Sequence, residues 1–261
     1  MQRHAWIKGL LALAVLICVG APRANAEGKR DAKAVEIAQA MMQGMGGAQG
    51  WDSVHFVRFD FKVIASGKVV VNRHHLWDKN TGRYRLETKT KDGREEVVLF
   101  NAGTKEGRVY IGGKQVEGAE AAAALKDAYA AYINDMYWLA EPWKWLDSGV
   151  NLKYAGARKR GQETYDVVQL TFGHVGLTPG DEYWAYVSRK SHLMAHWEYR
   201  LQSGQKGSWD WEYGDYGGIK LAKNHVSTDK KTEINMGDVQ VLSTVDDAFF
   251  TDPAHMLSDL K

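Results

Sequence analysis

A period of two in the hydrophobic pattern runs through most of the chain and is interrupted by one long helical stretch, and this restricts the fold more than any other feature. From Ser53 onward, His55, Val57, Phe59, Phe61 and Val63 fall on one side of an extended segment, with Phe56, Arg58, Asp60 and Lys62 on the other. That spacing predicts a strand with one apolar and one mostly polar face. Ser66-Gly67 separates it from Lys68 to Asp78, which reads as its hairpin partner. Strands are predicted at Arg83 to Thr90, Glu95 to Phe100 and, shorter, after Gly107. After the interruption they resume at Asn151 to Tyr154, Thr164 to Phe172, Glu182 to Ser188, His192 to Gln202, Gly207 to Tyr216 and Ile219 to Ser227. Lys231 to Ile234 and Gln240 to Ser243 come last. Strands joined by short turns make an antiparallel meander, and so large a sheet has to curl, split or close.

The interruption covers about residues 118–146, where Leu125, Ala128, Tyr129, Tyr132, Ile133, Met136 and Tyr137 recur at helical spacing. Pro142 should stop this helix, leaving Trp143 to Leu146 as a turn or second short helix. A shorter amphipathic helix is predicted from Ala34, Ile37, Ala38, Met41, Met42 and Met45, ended by Gly44, Gly46 and Gly47. Its methionines can serve the core or form a deformable surface toward a ligand. The expected fold is α+β and mainly β. It is a strongly curved antiparallel sheet of roughly 11 strands, a half-barrel with helices covering its concave face. Four prolines and no Ser/Pro-rich linker favour a single domain over residues 27–261, with the helical insertion acting as a lid.

Residues 1–26 read as a cleavable export signal. Arg3 and Lys8 flank an apolar run from Gly9 to Ala21, and Ala24-Asn25-Ala26 supplies the cleavage point after Ala26. The apolar run spans about 20 Å as a helix against the roughly 30 Å of a hydrocarbon core, so no permanent anchor is expected from it. Cys18 lies inside the signal behind Ile17, a poor setting for lipid attachment, and the mature chain then has neither a disulfide nor a thiolate nucleophile. Losing Arg3, Lys8 and Arg23 leaves 31 Lys+Arg against 32 Asp+Glu, a balance that offers nucleic acid no electrostatic footprint.

Catalytic motifs are scarce. His74-His75 would point to opposite faces of a strand, and His192 and His196 would lie about 13 Å apart along one, too far to share an ion. No HExxH, EF-hand, GxSxG or phosphate-cradling loop occurs. Asp135, Glu141, Asp181 and Glu182 could pair for glycoside cleavage, which makes an envelope hydrolase one alternative. Aromatic residues are the stronger signal. Trp209, Trp211 and Tyr213 share one strand face, while Trp138, Trp143 and Trp145 surround the helix end. They can build a core, line a cavity for acyl chains, or form exposed platforms that stack on envelope polysaccharide.

Three stretches carry a family resemblance: Trp77 to Glu87 (WDKNTGRYRLE), Tyr132 to Leu139 (YINDMYWL) and Gly176 to Tyr183 (GLTPGDEY). Here the chain resembles an uncharacterised bacterial family related to the periplasmic outer-membrane lipoprotein-sorting proteins, the LolA/LppX-like superfamily. The resemblance implies a curved sheet whose helical lid encloses lipid or lipoprotein acyl chains, in a periplasmic, non-catalytic carrier that needs no cofactor or metal. It implies acyl chains as partners, with an envelope membrane as donor and acceptor, and a monomer that is not integral to the membrane. Any of Arg58, Arg73, Arg83 and Arg85 could be the arginine that latches such a lid. The expected apolar cavity takes Leu125, Tyr129, Tyr132, Ile133, Met136 and Trp138 from the lid. From the sheet it takes Val57, Phe59, Phe61, Leu99, Trp184 and Trp197.

Overall fold

The computed structural model describes residues 28–173 and 180–260. The predicted export signal with Cys18 and its cleavage point, and the 176–179 part of the third motif, lie outside them. One 13-stranded antiparallel sheet forms the body, in the order β6-β5-β4-β3-β2-β1-β13-β12-β11-β10-β9-β8-β7. It is curved and not closed. The first half comprises β1 (Phe56–Ala65), β2 (Lys68–Asp78), β3 (Arg83–Lys89), β4 (Glu95–Asn101), β5 (Gly107–Ile111) and β6 (Lys114–Val116). The second comprises β7 (Val150–Arg160), β8 (Glu163–Phe172), β9 (Glu182–Ser188), β10 (Met194–Arg200), β11 (Lys206–Tyr216), β12 (Ile219–Ser227) and β13 (Thr232–Leu242). Each half is a meander, and the two fuse where β13 pairs with β1 from Phe56↔Leu242 to Ala65↔Thr232.

The sheet differs from the expected strand list in two places. Lys231 to Ile234 and Gln240 to Ser243 belong to the one strand β13, which continues through a register shift opposite Arg58 and Asp60. Asp238 there has φ +45, so a bulge interrupts the alternation without ending the ladder. Strand β6 is three residues long, too short to show a period, and Gly112-Gly113 (φ +58 and +77) turns the chain into it.

The strip Val57, Phe59, Phe61 and Val63 of β1 faces one side, where it joins Trp77, Tyr84, Val98, Phe100, Leu170, Tyr183, Trp197, Trp209 and Trp211 in the main core. Helix α1 (Ala32–Gly44) buries Ala34, Ile37, Ala38 and Met41 in the same core. Arg30 fastens its entry by donating to the carbonyls of Leu146, Asp147 and Val150. Met41 and Met45 are fully buried core residues, and Met42 packs partly against them. Where the sequence predicts only an end to α1, a second short helix follows, α2 (Gly47–Asp52), and its Trp51 stacks on Trp143 at 5.3 Å.

The opposite, outer face is covered over one half by a segment that carries no periodic signal, helix α4 (Ala248–Thr251) and the 3-10 turn Leu257–Asp259. Phe249, Phe250 and Leu257 pack there on Phe56 and Leu76. Buried Arg85 holds the segment by donating to the carbonyls of Phe249, Asp252 and Pro253 while pairing with Glu87 at 2.6 Å.

Gly46 joins α1 to α2 at φ +116, and a Cβ there would sit 2.4 Å from the Gly218 carbonyl oxygen. Gly46→Ala should therefore cost about 2 kcal/mol or more through backbone strain and collision. A shift of the urea midpoint at unchanged slope checks this.

Candidate functional site

The connection from β6 to β7 has to pass from one edge of the sheet to the other, and helix α3 (Gly118–Ala140) makes most of that passage. At 1.5 Å per residue it is about 35 Å long, whereas thirteen strands laid flat would measure nearly 60 Å at roughly 4.8 Å spacing, so the helix suits a curled sheet. Its alanine-rich first half is largely exposed, while every residue from Ala131 to Ala140 is buried. Such a helix end has no solvent face, so polar residues within it need partners inside. Pro142 falls in the 3-10 turn Glu141–Lys144 that ends it, as the sequence predicts.

Tyr132 is ringed by Tyr84 (4.7 Å), Trp77 (6.2 Å) and Phe100 (6.3 Å). Trp138 lies 5.0 Å from Trp197, 5.1 Å from Trp209 and 4.9 Å from His225, edge-to-face each time. Ile133 and Met136 are buried in the same core, and Leu125 and Tyr129 pack half-buried at its border. Val57, Phe59, Phe61 and Trp197 oppose them from the sheet. The space between helix and sheet is filled by these side chains meeting one another. Two expected members belong elsewhere. Leu99 packs on the outer face with Val97 and Tyr110 beside Met256, and Trp184 packs there with Tyr165, Val167 and Tyr186. Each sits one position out of phase with its inward neighbours Phe100 and Tyr183, and alternation fixes the face.

A polar centre is embedded in this interface. Asp135 of α3 is fully buried, and Arg73 of β2 donates to both of its carboxylate oxygens at 2.9 and 2.7 Å. Asn134 donates to the same carboxylate at 2.8 Å, and His75 Nε2 stands 3.1 Å away, off the line of a good hydrogen bond. On its other side His75 Nδ1 meets the Tyr84 hydroxyl at 2.9 Å. Burial works to raise the Asp135 carboxyl, but Arg73 and His75 together hold it below the ordinary carboxylate range. Burial pushes His75 down and Tyr84 well up, so both are held neutral. Among the four candidate arginines, Arg73 is the one whose ion pair reaches the central helix. Arg58 pairs with Asp60 and Asp238, Arg83 with Asp78 and Asp247, and Arg85 with Glu87.

A second polar group lies at the helix end. Glu141 accepts from Trp145 Nε1 at 2.6 Å and from the Tyr137 hydroxyl at 3.4 Å, and burial still pushes its carboxyl up to about 8. His225, packed edge-on against Trp211 at 4.2 Å, is driven by burial down to about 3, against a smaller opposing pull from the Trp138 backbone. This end of the interior is therefore uncharged at neutral pH.

The order Asp135, His75, Tyr84 has the composition of a proton relay, yet all three are buried and the tyrosine is a poorer nucleophile than a free phenol. The other candidate carboxylates are also engaged, Asp181 by the Gln202 N–H and Tyr183, and Glu182 by Arg200. His192 sits at φ +58 in the turn before β10 rather than on the strand. Among the described residues no group of three or more His, Cys, Asp or Glu side chains converges as a metal site, and no helix is long and apolar enough to cross a membrane. Of the tryptophans described, only Trp51 and Trp184 are not buried. Trp184 borders an open depression of about 400 Å³ with Arg158, Glu198, Arg200 and Lys206. An Asn-Asp pair inside an otherwise apolar helix stretch was the one sequence signal that could have pointed to the buried ion pair.

No family model matches the sequence. A search of curated proteins likewise returns no match. Solved structures do show similarity. A DUF1329 family protein from Desulfovibrio piger is 13% identical, with a TM-score of 0.46 over 88% of this chain and 98% of that one. A LolA superfamily protein from Nitrosomonas europaea is 11% identical, with a TM-score of 0.48 over 83% and 96%. The lipoprotein LppX of Mycobacterium tuberculosis is 11% identical, with a TM-score of 0.32 over 81% and 99%. At such identities the likeness concerns the fold and says nothing of individual residues.

Two outcomes follow from the geometry. Arg73→Met leaves the Asp135 charge buried and unpaired and should cost about 3 kcal/mol, most of which Arg73→Met with Asp135→Leu should restore; denaturant titration of both variants measures it. Glu141 titrates near 4.5 when unfolded and near 8 when folded. Its contribution is present in full below pH 4.5 and is lost as pH rises toward 8, on the order of 5 kcal/mol in all. Glu141→Gln should flatten that alkaline decline in a stability-against-pH series.

Proposed function

We propose that the protein is a non-catalytic carrier or binding protein of the cell envelope, which takes a lipid or lipoprotein acyl chain between α3 and the concave face of the sheet. The observation that carries this reading is the makeup of the interface beneath α3. A permanent core gains nothing from placing a charged Asp135–Arg73 pair and a neutral buried glutamate under a helix, since well-packed apolar residues do as well or better there. A helix that has to leave the sheet and return to one register gains a specific fastening. Opening releases an ionic latch that water can solvate, and exposes the aromatic strip of Tyr132, Trp138, Trp197 and Trp211 to cargo. Each acyl methylene buried in exchange contributes about 0.8 kcal/mol, so a chain of a dozen carbons can offset the opening.

On this reading residues 27–261 form one working unit with the lid at about 118–146. The ligand-facing side chains are Val57, Phe59, Phe61, Leu125, Tyr129, Tyr132, Ile133, Met136, Trp138 and Trp197. Export through a signal ending at Ala26 would place the carrier in the periplasm as a monomer, between a donor and an acceptor membrane. The alternative of a glycan-stacking module keeps Trp184 as its one half-exposed platform beside an open depression.

Native mass spectrometry of gently purified protein should show co-purifying lipid, and a fluorescent fatty-acid probe should be taken up with quenching of tryptophan emission. Bare protein together with no uptake of the probe would sink the proposal, and quenching by soluble glycans alone would favour the Trp184 platform.

A further inference from the structure

The core beneath the C-terminal half of α3 contains more hydrogen-bond donors than it can use. Trp138 (1% exposed), Trp197 (0%) and Trp211 (7%) all bury their indole N–H groups with no acceptor, and the buried Tyr213 hydroxyl has none either. These groups form one cluster. Trp197 lies 5.1 Å from Trp211, Trp211 lies 6.2 Å from Tyr213 and 4.2 Å from His225, and Trp138 touches both tryptophans and the histidine. His225, fully buried, meets no partner of good geometry at either ring nitrogen, and Oε2 of the fully buried Glu141 is likewise unmatched. Further along α3, Trp77 Nε1 and the Tyr132 hydroxyl are buried without a partner as well, but the cluster around Trp138 gathers the most of them.

Buried polar groups are almost always matched, and several unmatched ones in a single cluster call for a cause. A purely apolar carrier would place Phe or Leu at these positions. An indole N–H can only donate, and a neutral carboxyl with one oxygen already accepting offers a further donor. The lining therefore holds more donors than acceptors, its free acceptors being the unprotonated nitrogen of His225 and the Tyr213 oxygen. Water does not relieve that surplus, because each water brings two hydrogens along with its two lone pairs. A carbonyl oxygen brings two lone pairs and no hydrogen. The charge state narrows the choice further: the cation of this interface, Arg73, is committed to Asp135, so nothing in the cluster offsets a carboxylate or phosphate.

We propose that this cluster receives neutral ester carbonyls, so that the cargo is an acylglycerol-type lipid held by its ester groups on Trp138, Trp197, Trp211 and Tyr213. The inference rests on the carrier reading and adds a polar end to the apolar site. Loading lifts α3, and Trp197, Trp211 and Tyr213 stay on β10 and β11 as the fixed part of the receptor. Acyl chains extend from there along the strip toward Phe59 and Phe61.

The test compares dioctanoylglycerol, its ether analogue dioctylglycerol, which has no carbonyls, and octanoate, each displacing a fluorescent fatty-acid probe from the full mature protein. The ester should bind about tenfold tighter than the ether, the worth of one or two net hydrogen bonds, and tighter than the carboxylate. Trp211→Phe and, independently, Tyr213→Phe keep the rings and remove one donor each, so either should narrow the ester-to-ether ratio to within about threefold. Equal binding of ester and ether by the wild type, or a ratio that neither variant changes, overturns the ester receptor and leaves the carrier standing. Binding of none of the three, with no uptake of the probe, overturns both.

Discussion

Because β13 pairs with β1, two strands adjacent in sequence, β6 and β7, end up at opposite edges of the sheet. The chain must then pass across a face to join them, and α3 is the consequence. Its position is a topological necessity that the side chains afterwards exploit. A sheet of this width also has to bend, and the bend encloses the helix that crosses it. This explains why the second half of α3 is buried on every side and why its polar residues could be satisfied only from within.

Along its length the interior changes in chemical character. About a turn and a half before the end of α3 it is ionic, with Asp135 gripped by Arg73 beside neutral His75 and Tyr84. Toward the helix end it is aromatic and uncharged, with Glu141 and His225 both in their neutral forms. The two regions do different work. The first fixes the register of the helix, since Nη1 of Arg73 reaches both carboxylate oxygens and sliding the helix would break both contacts. The second presents broad aromatic surfaces whose polar atoms are left over after packing.

Much of the architecture was legible in the sequence because burial on one face imposes a period that a strand or helix cannot hide. The β1 alternation, the long central helix and its arrest at Pro142 all follow from local patterns. What was illegible is equally physical. Leu99 and Trp184 are large and apolar, yet the outer face is itself partly covered, so hydrophobicity alone does not tell inside from outside. Over Leu99 the cover is the C-terminal segment, which Arg85 holds by its backbone carbonyls and which leaves no mark on composition, whereas Trp184 lies against Tyr165, Val167 and Tyr186. The Arg73–Asp135 pair was hidden for a similar reason. Arg58, Arg73, Arg83 and Arg85 look alike in sequence, and only the meeting of β2 with α3 in space separates them. His75 and Asp135 were legible as candidates but under other roles, a metal ligand and a hydrolytic acid.

One property of the ladders bears on how such a body deforms. Strand β13 is joined to β1 along nine residue pairs but to β12 along only three, Asn224 to Val226 against Glu233 to Asn235. Backbone hydrogen bonds give a sheet its stiffness, so the β12–β13 ladder resists bending less than the β1–β13 ladder beside it. On one side of the seam, β1 to β5 are backed by the clamped C-terminal segment; on the other, β8 and β9 carry Tyr165, Val167 and Tyr186 without it. The half from β1 to β5 is thus covered on both of its faces, and His225, paired with Ile234, lies at the middle of the short ladder that joins it, through β13, to the other half.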